Sequence, residues 1–168
     1  MPVVVLLLVA GSSGARWSAG VVFLVGAATD GVDGYLARRW HVQTKTGQWL
    51  DPLADKALVA APIITLAAQG EFPVWAAVLI LGREAVVAVL RVLLGVRGRS
   101  MPASFPAKVK TVLQLAAITL YVLPLGTWSD GAKVAVLIAA VVLTVFTGVQ
   151  YVAFALAPPH SSREQATG

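Results

Sequence analysis

"TDGVDGYLARR" (Thr29–Arg39) closes an apolar run that begins near residue 17, at the point where a membrane span should be finishing. Asp30, Asp33, Arg38 and Arg39 sit here beside Gly31 and Gly34. A charge inside a span costs about 2.5–3.5 kcal/mol on insertion scales, so such a stretch needs a reason. A second pair of aspartates, Asp51 and Asp55, follows in "GQWLDPLADK" (Gly47–Lys56). Four of the chain's eight acidic residues therefore lie between Asp30 and Asp55.

The surrounding composition is that of a polytopic membrane protein. Of 168 residues, 58% are hydrophobic and 12% charged, whereas soluble domains carry about 25% charged residues. Mean hydropathy is +0.80. The chain has no cysteine, which excludes disulfides, thiolate metal sites and a cysteine nucleophile. Net charge is +5, but no basic groove with interleaved aromatics is visible, so nucleic acid is not an expected partner.

Apolar segments at 17–37, 52–69, 73–95, 111–126 and 133–157 are long enough for helical spans, some with a shortfall. "AQGEFP" (68–73) and "LGTWSDGAK" (125–133) read as turns. "MPVVVLLLVA" (1–10) reads as the C-terminal half of a first span, with a re-entrant or interfacial stub as the alternative. The expectation is thus an all-α membrane bundle over 1–157, followed by a polar, disordered tail over 158–168. Arg38, Arg39, Lys45 and Lys56 fill one connector, and Arg91, Arg97, Arg99, Lys108 and Lys110 another, while the opposite loops hold Arg16 and Lys133. The positive-inside rule puts both basic loops and the aspartates at the cytoplasmic face. Trp17, Trp75 and Trp128 then mark the outer interface and Trp40 and Trp49 the inner one.

At about 100° per residue, Asp30, Asp33, Gly34 and Ala37 fall on one helical face. Asp51 and Asp55, four apart, share a face of the next helix. The intervening loop turns the helices antiparallel, so four carboxylates can converge. Their mutual repulsion in a low-dielectric wall calls for cations. An all-oxygen donor set suits Mg²⁺ or Mn²⁺, and four ligands are enough for two ions. Two metals beside small residues fit displacement on a diphosphate. The plainer alternative is that each aspartate caps a helix or meets solvent, Asp51 serving as an N-cap before Pro52.

Read as a pattern, the residues are Asp30-Gly31-x-Asp33-Gly34-x2-Ala37-Arg38-x8-Gly47-x3-Asp51-x3-Asp55. This is similar, without gap or substitution, to the signature of the CDP-alcohol phosphatidyltransferase family. The resemblance implies a six-helix membrane enzyme, usually a homodimer, in the bacterial cytoplasmic membrane. It would use divalent metal, transfer a phosphatidyl group from a CDP-linked lipid to an alcohol, and release CMP. Carried over, Asp30, Asp33 and Asp51 would be metal ligands, and Asp55 a metal neighbour and the general base. Asp30, Gly34, Ala37, Arg38 and Gly47 would frame the cytidine diphosphate pocket.

Along nearly its whole length the chain resembles the branch that uses CDP-diacylglycerol and sn-glycerol 3-phosphate. "FPVWAAVLILGREAVVAVLR" (72–91), "PASFPAKVKTVLQLAAI" (102–118) and "LTVFTGVQYV" (143–152) carry that likeness. Two departures stand out: the family's usual segment before the first complete span is missing, and Ala107 replaces a frequent glycine.

Arg83 lies deep in an apolar helix, with Arg91 farther along it and Lys108 and Lys110 opening the next. An arginine–lysine pocket beside the metals suits an acceptor bearing its own phosphate. Alternatively Arg83 makes a structural pair, while the other cations meet lipid headgroups. Arg83 and Glu84 are adjacent and do not face each other on a helix, so a pairing between them is not assumed. Two further readings compete. A sister transferase would take phosphatidylglycerol, inositol phosphate or serine as acceptor. A divalent-metal transporter would explain the aspartates but give no role to Gly34, Ala37, Arg38 or the lysines.

Overall fold

The computed structural model describes the backbone at 1–40, 47–96 and 105–156, and the side chains there except at 30–40, 47–55, 105 and 107. Among the described residues every regular element is helical: α1 (Pro2–Ala10), α2 (Ser13–Trp40), α3 (Gly47–Ala68), α4 (Val74–Val96), α5 (Phe105–Val122) and α6 (Asp130–Leu156). A single 3-10 turn, Thr127–Ser129, precedes α6.

The helix boundaries have local causes. Ser12 Oγ accepts the Ala15 N–H at 3.2 Å, so α2 begins at Ser13, earlier than apolarity alone suggests. Pro106 stands in the first turn of α5, where a missing N–H costs nothing, and α5 stops at Val122 just before Pro124. The expected span over 111–126 is therefore shifted toward the N-terminus. Gly70, at φ 74°, closes α3: its N–H reaches Ala67 O at 3.1 Å and the Glu71 N–H reaches Leu66 O at 2.9 Å. The expected turn over 68–73 falls at this point. α1 ends at Gly11 (φ 69°), whose N–H donates to Leu8 O at 3.2 Å, and Gln69 Nε2 gives the same carbonyl a second donor at 3.1 Å. With nine residues, α1 is about 14 Å long, under half of a hydrocarbon core.

Helix direction alternates, so the ends of α1, α3 and α5 meet the starts of α2, α4 and α6. A cleft of about 370 Å³ at that end is lined by Arg16, Glu71, Tyr121, Asp130 and Lys133. Arg16 pairs with Glu71 across it, and Lys133 Nζ lies 3.3 Å from Asp130 Oδ1. Trp17, Trp75 and Trp128, all exposed, sit at the same end. The opposite end gathers the finish of α2 and α4 and the start of α3 and α5, the stretches that carry Asp30, Asp33, Arg38, Asp51, Asp55, Arg91, Lys108 and Lys110.

The bundle's outside is apolar and part of its inside is polar. On α6 the buried stripe is Leu137, Ala140, Val141, Thr144, Thr147 and Tyr151, at helical spacing. Its exposed face is Ile138, Val142, Val145, Phe146 and Val149. The same holds for α2, where Ala19 and Phe23 are buried and Val21, Val22, Leu24 and Val25 are exposed. Phe23, Leu8, Ile63, Leu66, Ile80, Ile118 and Leu137 fill the centre. Among the described residues one helical stretch, Thr127–Leu156 with mean hydropathy 2.3, is long and apolar enough to cross a membrane by length and composition. The other long helices carry charges within or near their apolar stretches, as α4 does at Arg83, Glu84 and Arg91. The expected tail, 158–168, and Arg97 and Arg99 lie outside the described residues.

Candidate metal and phosphate site

Helix α2 runs unbroken through Asp30, Asp33, Gly34, Ala37 and Arg38, and α3 begins at Gly47 and runs through Asp51 and Asp55. The side chains of these eight residues lie outside the described set. Their register does not. Asp30 and Asp33 are three apart on one helix, and Asp51 and Asp55 four apart on another, so each pair occupies one face. Asp51 is not an N-cap: α3 starts four residues earlier, and the residue sits inside its second turn. Among the described residues no cluster of three or more His, Asp or Glu forms an alternative metal site. Oxygen donors on two adjacent helices, in a chain without cysteine, fit a hard divalent cation.

The proposed phosphate-binding residues separate into two groups. Arg83 and Lys110 come together; Arg91 and Lys108 are exposed and join no ion pair among the described residues. Arg83, with 11% of its side chain exposed, lies at the middle of α4. Its Nη1 donates to Glu84 Oε1 at 3.0 Å and its Nη2 to Thr147 Oγ1 at 3.0 Å. Its Cζ stands 5.4 Å from the centre of the Tyr151 ring. Lys110, in the second turn of α5 and only 5% exposed, donates its Nζ to the same Glu84 oxygen. Arg83 and Glu84 thus pair despite their adjacency, which helical geometry alone gives no ground to assume. Arg83 reaches α6 and Glu84 reaches α5, the long guanidinium swings onto the carboxylate, and a buried arginine without an anion would be far costlier.

A groove of about 560 Å³ runs between α4 and α6, opened by Gly82 and Gly148 and walled by valines, with Arg83 as its charged residue. Gly148 is bare for a reason: a Cβ there would lie 3.0 Å from Arg83 Cγ and 3.8 Å from Nε. Among the described residues three buried polar atoms have no hydrogen-bond partner: Arg83 Nε, Gln114 Nε2 and Thr144 Oγ1. Glu84, Gln114, Thr144, Thr147 and Gly148 were not singled out from sequence. The available signal was polarity on the inward stripe of α6 and one turn beyond Lys110 on α5.

The chain matches the CDP-alcohol phosphatidyltransferase family over residues 1–146, and it belongs to that family. A probable phosphatidylglycerophosphate synthase of Mycobacterium tuberculosis is 44% identical over 170 residues, covering 99% of this chain and 81% of the relative. The CDP-diacylglycerol–glycerol-3-phosphate 3-phosphatidyltransferase of Bacillus subtilis is 36% identical over 140 residues, covering 82% of this chain and 72% of the relative. The Escherichia coli protein of the same name is 35% identical over 146 residues, covering 84% and 80%. Family membership leaves the ion-transporter alternative without support.

Proposed function

We propose that this chain transfers the phosphatidyl group of CDP-diacylglycerol to sn-glycerol 3-phosphate, giving phosphatidylglycerophosphate and CMP. The observation that carries the reading is the unbroken helical register of Asp30 and Asp33 on α2 and Asp51 and Asp55 on α3, at the bundle end that also holds Arg91, Lys108 and Lys110. The names of the relatives above agree with it.

In this reading Asp30, Asp33, Asp51 and Asp55 hold two Mg²⁺ or Mn²⁺ ions. Metals held there would supply charge neutralisation for the diphosphate and the departing phosphate oxygen. Gly34 and Ala37 let the cytidine diphosphate approach the α2 backbone, Arg38 binds its phosphate, and Asp30 and Gly47 complete the pocket. Asp55 takes the proton from the acceptor hydroxyl as that oxygen bonds to the lipid-linked phosphorus. The bond between that phosphorus and the CMP oxygen breaks. Arg83, Arg91, Lys108 and Lys110 hold the acceptor's own phosphate. The helices form one domain over 1–157 in the cytoplasmic membrane, with the family's six spans and the first of them truncated here, the site facing the cytoplasm and the enzyme acting as a homodimer. The apolar outer faces of α2 and α6 and the basic loops at one end support that orientation.

The test is CMP release from CDP-diacylglycerol with Mg²⁺, offering glycerol 3-phosphate, inositol phosphate, phosphatidylglycerol and serine in parallel. Release with glycerol 3-phosphate alone is expected. Release with another acceptor instead would keep the transferase chemistry and overturn the product.

A further inference from the structure

We infer that Glu84 is a positioning residue for the acceptor phosphate: it binds Arg83 and Lys110 through one carboxylate oxygen and so sets two cations from different helices side by side. The inference rests on the acceptor reading above. Glu84 lies outside the aspartate signature.

The geometry argues for it in three ways. First, Oε1 accepts from Arg83 Nη1 on its own helix and from Lys110 Nζ on α5, a residue 26 positions later in the chain. Two cations held side by side in a low-dielectric interior repel, so a pocket holding both would spread without the shared anion. Second, the guanidinium is gripped from both sides, by Glu84 at Nη1 and by Thr147 at Nη2, over the Tyr151 ring. That leaves Nε, buried and without a partner, on the side that faces Gly148. An Nε–Nη edge can meet an oxyanion in bidentate fashion. Third, the carboxylate holds the cations from behind. Its contacts are to Nη1 and Nζ, and Nε is untouched by it, so a phosphate can add without displacing Glu84.

The alternative is a purely structural bridge between α4 and α5. Steady-state kinetics of the whole chain in phospholipid–detergent micelles separates the two, with CDP-diacylglycerol and sn-glycerol 3-phosphate varied independently. In Glu84→Gln the KM for glycerol 3-phosphate should rise about tenfold or more, while the KM for CDP-diacylglycerol stays within about twofold. Glu84→Asp keeps the charge but shortens the reach, and should raise the acceptor KM about threefold. It carries the test by the same split if the glutamine variant does not fold. A lowered thermal midpoint with both KM values unchanged, or with both raised equally, would overturn the inference. Arg83→Lys and Lys110→Ala distinguish the two levels of the argument. If they raise the acceptor KM and neither Glu84 variant does, the positioning role fails alone. If they leave it unchanged, the acceptor reading falls and the inference with it.

Discussion

Arg83 Nη2 and Thr147 Oγ1 meet at 3.0 Å, tying the middle of α4 to α6 across 64 residues of sequence. Thr147 also donates back to Leu143 O at 2.7 Å, so its hydroxyl serves both as acceptor and donor in a fully buried position. Thr147→Val keeps the volume and removes both roles. It should lower the stability of the folded chain by about 1–3 kcal/mol, because a buried donor loses its partner. The measure is the thermal midpoint in detergent against wild type. An unchanged midpoint would show that the hydroxyl is not what holds Arg83.

Gly148→Ala places a methyl group 3.0 Å from Arg83 Cγ. The arginine is held at both ends of its guanidinium, so it must give by a few tenths of an ångström and slacken one hold. The expected outcome is a rise of about threefold to tenfold in the glycerol 3-phosphate KM with the protein still folded. Gly82→Ala is the control, since a Cβ there meets nothing within 4 Å.

Asp33→Asn and Asp55→Asn should each abolish CMP release while leaving expression and membrane insertion intact. Chelation with EDTA should do the same to wild type, and Mg²⁺ or Mn²⁺ should restore it. Near-normal turnover in either variant would remove the metal and base assignment.

Lys108 is exposed and Lys110 buried, two residues apart on α5, so their alanine variants should differ in kind. Lys108→Ala should raise the acceptor KM more than the donor KM and leave the thermal midpoint near wild type. Lys110→Ala should raise the acceptor KM and lower the midpoint as well, since it strips Glu84 of a buried partner. A larger effect of Lys108→Ala on the donor would move that residue to the other substrate.

At the far end of the bundle, Arg16 and Glu71 pair between α2 and the turn before α4, with 43% of the glutamate side chain exposed. An exposed pair contributes roughly 0–1 kcal/mol. Glu71→Gln should therefore shift the midpoint little and leave transfer unchanged. A large loss of activity would mean that this end of the molecule bears on catalysis.

The fold was legible because hydropathy and turn chemistry act locally. Gly70 and Pro73 end one helix and start the next, and Pro124 stops α5, each through its own backbone constraint. The limits of α2 and α5 were misjudged because apolarity marks where lipid would begin, not where hydrogen bonding does; Ser12 and Pro106 decide that. The aspartate window was legible for a different reason: its spacing is a helical register, and a register survives without knowledge of packing. The Arg83 cluster was only half visible. Arg83 and Lys110 declared themselves by charge in apolar surroundings, but Thr147 and Gly148 look like ordinary components of an apolar helix. Their role exists only once α6 lies against α4, and nothing local announces which face will do so.

Because Arg83 and Glu84 are neighbours, their pairing is available as soon as α4 has been made. Thr147 is polymerised 64 residues afterwards, a delay of roughly 3–13 s at typical rates of translation. An arginine waiting that long in hydrocarbon without an anion would weigh against integration of its helix. With glutamate adjacent, α4 would enter the bilayer of the proposed topology already neutralised, and the timetable of the ribosome would cease to limit when that segment can settle.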